Sequence, residues 1–162
     1  MLNIMTDKKN KVQIIGIGNI LRNDDGVGPY IINELKKKKL PDNVELINVE
    51  IATLDILHLI KKENDVIVID SMTSSTKVGK IYTLKLEDLP DLNTPFNLHE
   101  MDLKTLFLTA KEIGILPKNV RFYAIEVKDV NFEGRLSDEV KAAAEELVKI
   151  LTEELTKNNN KI

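Results

Sequence analysis

Residues 12–28 read VQIIGIGNILRNDDGVG, and this stretch decides the fold. It begins with an apolar strand, residues 12–15, and leads into an amphipathic helix that has Pro29 in its first turn. A strand, a glycine turn and a helix start are the usual parts of a phosphate-binding site. This turn instead carries two adjacent acids, Asp24 and Asp25. Two carboxylates at this position indicate a cation, or a group that carries one.

Length and composition limit the classes of protein to consider. The 162 residues fit one domain, with a core over about residues 12–155 and tails that we expect to fray. No segment approaches the ~18 consecutive apolar residues of a membrane span, and the N-terminus lacks the features of a signal peptide. We therefore expect a cytoplasmic protein without membrane insertion. A net charge of −3 and 4% aromatic residues argue against nucleic acid as a partner.

The absence of cysteine restricts the possible chemistry. It excludes disulfides, thiolate zinc sites and a cysteine nucleophile, so a metal site would need oxygen and imidazole ligands. The chain has two histidines. His58 lies among the leucines of a predicted helix and is interpreted as a partly exposed packing residue. His99 precedes a predicted helix, where it serves either as a cap or surface residue or as a ligand.

Apolar runs alternate with helical patterns along the chain. Strands are predicted at residues 12–17, 44–49, 65–69, 81–86 and 119–127. Helices are predicted at residues 28–39, from 53 or 55 to about 60, at 101–113, and from 137 to 155. This order predicts an α/β fold, a three-layer α/β/α sandwich with a mostly parallel, five-stranded twisted sheet.

Ligands in such sheets bind at the carboxyl ends of the strands, where the strand order reverses. If the first and third strands are neighbours, as in the flavodoxin-like order, the turn with Asp25 and the loop that begins at Asp70 meet there. Asp70 ends a hydrophobic strand, so it either enters the cleft or bonds to the amides of its own loop. Asp24 and Asp25 have a similar alternative, since acids before a helix often cap it.

Three chemistries can be compared on these residues. Asp25, Asp70 and His99 together would suit a divalent first-row metal with open coordination positions. A dinucleotide fingerprint has its first two glycines here but lacks the third, and each carboxylate near a pyrophosphate charge adds roughly 4 kcal/mol of repulsion at about 4 Å. Serine catalysis lacks its Gly-x-Ser-x-Gly turn. Three serines are interpreted as formers of the loop after the third strand, namely Ser71, Ser74 and Ser75.

Three motifs together resemble those of the hydrogenase maturation endopeptidases. They are the turn at residues 16–28, the sequence Val68-Ile69-Asp70-Ser71, and the sequence Leu98-His99-Glu100-Met101-Asp102-Leu103. Their order and spacing agree over residues 12–155. The resemblance implies an α/β/α sandwich. It also implies an endopeptidase that removes a C-terminal extension from the large-subunit precursor of a [NiFe] hydrogenase after nickel insertion.

The resemblance further implies roles for individual residues. Asp25, Asp70 and His99 would bind metal, and Asp25 is one methylene shorter than the glutamate of some relatives. The metal would be nickel carried by the substrate as a recognition signal, and zinc or cadmium could replace it in a crystal. Asp25 and Asp70 would be the catalytic acids, in either an aspartic-type or a metal-assisted peptidase. Residues expected to support them are Asn19, Asp24 and Asp102.

Two alternatives remain beside the endopeptidase. One is a non-catalytic, metal-sensing chaperone that binds the same precursor and releases no peptide. The other is a flavodoxin-like nucleotide-binding domain, which a nucleotide would stabilise but nickel or zinc would not.

Overall fold

A single five-stranded sheet organises the chain. The computed structural model describes residues 10–50, 53–73, 77–89, 98–128 and 134–159, without the side chains of 53, 98–102 and 159. The strands are β1 (Val12–Ile17), β2 (Val44–Val49), β3 (Asp65–Met72), β4 (Ile81–Leu84) and β5 (Asn119–Glu126). Their order is β2-β1-β3-β5-β4; β4 pairs antiparallel with β5, and the other pairings are parallel. The predicted mostly parallel sheet, with β1 beside β3, is confirmed.

Four α-helices cover the two faces of this sheet: α1 (Val27–Leu35), α2 (Ile56–Leu59), α3 (Leu98–Glu112) and α4 (Asp138–Asn159). Successive strand residues point to opposite faces, so Ile14 packs in the layer of α1 and α4 while Ile15 packs in the layer of α2 and α3. In the second layer the rings of Phe107 and Phe122 meet edge to face at 5.1 Å. The predicted three-layer architecture is confirmed.

Two of the predicted helices are shorter in the structure. Helix α1 ends at Leu35, four residues before the predicted end. The amide of Lys37 donates to the Glu34 carbonyl, an i to i+3 bond that tightens and closes the helix. The run of lysines at residues 36–39 therefore follows the helix. Helix α2 is a single turn that continues a 3₁₀ turn at Thr53–Asp55.

Three further elements are longer than predicted. Strand β3 continues to Met72 because β5 supplies backbone partners beyond the end of β1. Helix α3 begins at Leu98, which places His99 inside its first turn and not before it. Helix α4 continues to Asn159, four residues beyond the predicted end at residue 155. Residues 1–9 and 160–162 lie outside the described part of the chain.

The α-helices of the described part of the chain range from 4 to 22 residues in length. None of them is both long enough and apolar enough to cross a bilayer. The longest, α4, has acidic residues in its first turn and a lysine in its last. The cytoplasmic location stays a prediction from the sequence.

Candidate active site

The acidic turn, which we define as residues 18–26, joins β1 to α1 at the carboxyl edge of the sheet. Its backbone is closed by its own hydrogen bonds. The Arg22 amide donates to the Asn19 carbonyl at 3.0 Å, and the Asp25 amide donates to the Arg22 carbonyl at 2.9 Å. The Asn19 amide donates to Asp25 Oδ2 at 3.1 Å, and the Leu21 amide donates to Asn19 Oδ1 at 2.9 Å. These four amides are already engaged, which argues against a phosphate cradle here.

Two glycines make the close approach of this turn possible. Gly18 has a φ of +142°, and a Cβ placed on it would lie 1.9 Å from the carbonyl oxygen of Asp25. A Cβ on Gly28 would lie 2.3 Å from the Ile17 carbonyl oxygen and 2.9 Å from that of Ile69. The start of α1 thus sits directly against β1 and β3. Gly18, which resembles the second glycine of a nucleotide fingerprint, instead allows the close approach of the backbone at Asp25.

Asp70 occupies the crevice where the strand order reverses. The pairing of β1 with β3 ends at Gly16 and Ile69, whereas Asp70 pairs with Ala124 of β5 alone. Side-chain alternation along β3 puts Asp70 on the face covered by α3, the same face as Val68. Asp70 is 5% exposed and Asp25 is 2% exposed. Both carboxylates are therefore buried at the same edge of the sheet.

Ser71 links these two carboxylates. Its hydroxyl donates to Asp25 Oδ1 at 3.2 Å, and its amide donates to Asp70 Oδ1 at 2.8 Å. The interpretation of Ser71 as a loop former is wrong, because it is a buried residue of β3. The alternation of side chains along a strand could have identified the role of Ser71. The residue after Asp70 points to the opposite face of the sheet, which is the face covered by α1 and therefore the one nearer the acidic turn.

Asp24 has a different role from its neighbour. It is fully buried, and it accepts hydrogen bonds from the Lys128 amide at 3.0 Å, the Ser137 amide at 2.6 Å and the Ser137 hydroxyl at 3.0 Å. The alternative that Asp24 caps the following helix is not what these contacts show: the N-cap residue of α1 is Gly26, and the Asp24 oxygens accept from Lys128 and Ser137. Asn23 Oδ1 likewise accepts from the Arg135 amide at 3.1 Å. Asp24 and Asn23 join the acidic turn to the residues that precede α4.

The structure describes the side chains of only two members of the predicted ligand set, Asp25 and Asp70. Asp25 and Asp70 each accept a hydrogen bond from Ser71, whereas the side chains of His99 and Asp102 are not among those that the structure describes. Among the residues that are described, no group of three acids and histidines is arranged to hold a metal ion. The set of Asp25, Asp70 and His99 stays a prediction. His58 is exposed at the end of α2, more so than a packing residue.

The two carboxylates have the properties of a site for a cation or a shared proton. The groups that donate to Asp25 are neutral, a hydroxyl and an amide. Each carboxylate oxygen has two lone pairs, so each Asp25 oxygen can accept one bond more than these. Both carboxylates are buried, which makes their charged forms costly, and a bound cation or proton would compensate for that cost. The arrangement can therefore bind a metal ion or act in proton transfer.

Comparisons with known proteins find similarity to the hydrogenase maturation proteases. The family model for hydrogenase maturation proteases (HycI) matches residues 29–154, which include Asp70 and His99 and begin just after the acidic turn. A Methanocaldococcus jannaschii protein that carries the name hydrogenase maturation protease is 30% identical to this chain, over 94% of this chain and 95% of that protein.

Two solved structures give the same result. The hydrogenase 2 maturation peptidase of a Thaumarchaeota archaeon is 31% identical, with a TM-score of 0.67 over 90% of this chain and 98% of that one. The hydrogenase-maturating endopeptidase HybD from E. coli has a TM-score of 0.79 over 91% and 93% of the two chains. Its 20% identity makes it a match of fold.

Proposed function

This chain belongs to the hydrogenase maturation protease family, and from that premise we propose that it removes a C-terminal extension from a [NiFe] hydrogenase large-subunit precursor. Membership makes it a peptidase of hydrogenase maturation. The finer proposal is that cleavage follows nickel insertion. In it, Asp25, Asp70 and His99 recognise the nickel that the precursor carries.

The chemistry of the donor set supports nickel as the recognised group. Carboxylate and imidazole ligands suit a divalent first-row metal, and this chain has no thiolate to compete. Asp25 and Asp70 are both buried at the carboxyl edge of the sheet, so a cation that arrives with the precursor would compensate for the cost of burying their charges. Nickel in this proposal is part of the substrate.

Peptide hydrolysis then needs a base and a proton donor. One of the two carboxylates accepts a proton from water as the water oxygen bonds to the scissile carbonyl carbon. The carbon–nitrogen bond breaks, and the same proton is delivered to the departing amine. Ser71 orients the acids, because it holds one oxygen of each by a hydrogen bond.

The observation that carries the proposal is the pair of buried carboxylates joined by Ser71 in a chain of this family. The test is to incubate the protein with purified large-subunit precursor from the same organism, with and without nickel. We expect mass spectrometry to find the released C-terminal peptide with the nickel-loaded precursor only. Equal cleavage of the nickel-free precursor would contradict nickel recognition. Binding without peptide release would favour the chaperone alternative.

Ser71→Ala tests how the two acids are oriented. The substitution removes the hydroxyl bond to Asp25 and keeps the amide bond to Asp70. A hydrogen bond to a charged group contributes about 1.5–3 kcal/mol, so we expect kcat to fall by about 10-fold or more. Thr83→Ala, which removes an exposed hydroxyl from β4, is the control and should leave kcat unchanged. An unchanged kcat in Ser71→Ala would show that the hydroxyl does not orient Asp25.

A further inference from the structure

We infer that Ile20 and Leu21, the exposed aliphatic pair of the acidic turn, form a docking contact for an apolar patch on the precursor. The inference rests on the proposed function, because it takes the substrate to be a folded hydrogenase precursor. It adds the surface by which that substrate is recognised, apart from its nickel and its scissile bond.

The first observation is the exposure of two neighbouring large side chains. Ile20 is 47% exposed and Leu21 is 64% exposed. A single exposed leucine needs no explanation. Here, however, two adjacent aliphatic side chains project from a turn whose backbone is fixed by hydrogen bonds at Asn19, Arg22 and Asp25. Because the backbone is already ordered, docking on this pair loses little conformational entropy.

The second observation is the direct connection of this pair to the site. Asn19 Oδ1 accepts from the Leu21 amide, and the Asn19 amide donates to Asp25 Oδ2. One residue thus fixes both the exposed leucine and the buried carboxylate. A partner seated on Leu21 is held at a defined distance from Asp25.

The third observation concerns how a protein substrate can reach the acids. Asp25 and Asp70 are 2% and 5% exposed. A folded precursor that brings a peptide bond to them must lie against the rim of this edge of the sheet. Ile20 and Leu21 belong to the same short turn as Asp25, so they lie on that rim.

Positively charged residues near the acidic turn indicate what charge the partner surface should carry. Lys128 and Arg135 are exposed, and their amides donate to Asp24 and Asn23 of the acidic turn. The backbones of two exposed cationic residues thus lie against the turn that carries the aliphatic pair, although the whole chain has a net charge of −3. An apolar contact with a charged rim is the usual anatomy of a protein interface. The complementary surface is an apolar patch bordered by acidic residues.

Steady-state cleavage of nickel-loaded precursor from the same organism tests the aliphatic pair. We expect Leu21→Asp to raise KM by about 10-fold or more and to leave kcat within about twofold. Leu21→Met should stay within about threefold of wild type in both. The matched control is Ile113→Asp, which changes a 59% exposed residue beyond the C-terminus of α3, at the opposite edge of the sheet. Thermal unfolding shows whether each variant is folded.

Charge reversal tests the rim. Arg135→Glu should slow association with the precursor by about 10-fold at low salt and by less at high salt. The control is Lys149→Glu, which reverses the charge of an exposed residue of α4 and should leave the association rate unchanged. If folded Leu21→Asp cleaves with an unchanged KM, the docking contact is wrong and the proposed function stands. If wild-type protein does not cleave any nickel-loaded precursor, the proposed function itself is wrong.

Discussion

Asp70→Asn will slow precursor cleavage by about 10²–10⁴-fold without lowering the free energy of unfolding by more than about 1 kcal/mol. Asparagine keeps an oxygen that can accept the Ser71 amide, so the local backbone has no reason to move. The substitution removes the negative charge. Without that charge, residue 70 can no longer accept a proton from water or bind a cation strongly. The cost of burying a charged carboxylate also disappears, which favours the folded state.

The matched control for this variant is on the same strand. Asp65→Asn changes the acid at the opposite end of β3, where one carboxylate oxygen accepts from the Asn119 side chain. It should leave the cleavage rate within about twofold of wild type. Cleavage is measured as release of the C-terminal peptide under single-turnover conditions, and stability by urea denaturation. An Asp70→Asn protein that cleaves at the wild-type rate would remove Asp70 from the proposed site.

Asp24→Ala will destabilise the protein by about 3–5 kcal/mol, a loss characteristic of a disrupted buried polar network. The Asp24 carboxylate is fully buried and accepts two amide bonds and one hydroxyl bond. Alanine leaves the amides of Lys128 and Ser137 without this acceptor. Since Ser137 immediately precedes α4, the substitution also loosens the start of that helix.

Urea denaturation measures this loss, and two variants calibrate it. Asp24→Asn keeps one acceptor oxygen and should lose about half as much stability as alanine. Asp138→Ala removes an exposed acid from the first turn of α4 and should cost less than about 1 kcal/mol, the usual size of a helix-dipole contribution. A loss below about 1 kcal/mol in Asp24→Ala would show that the amides find other partners, and that the hydrogen bonds of Asp24 to Lys128 and Ser137 contribute little to stability.

The order of the elements and the edge that carries the site could be predicted from local sequence. Strands 12–17 and 44–49 agree with the structure residue for residue, because continuous apolar runs bounded by turn residues are a local property. The position of Asp70 at the end of such a run also indicated the crevice. Element ends were predicted less well. Strand β3 extends to Met72 through pairing with β5, which lies more than 50 residues further along the chain.

The chemistry of the residues was therefore determined by the sequence: acids in a glycine turn, an acid after a buried strand, no cysteine and few histidines. Which of these residues joins distant segments and which faces the candidate site was decided by tertiary structure. Asp24 and Asp25 are adjacent and chemically identical, yet the partners of Asp24 lie 104 and 113 residues away, whereas Asp25 meets Ser71 46 residues away. Neighbouring side chains in a tight turn point in different directions, and only the packing of distant segments determines what each one meets.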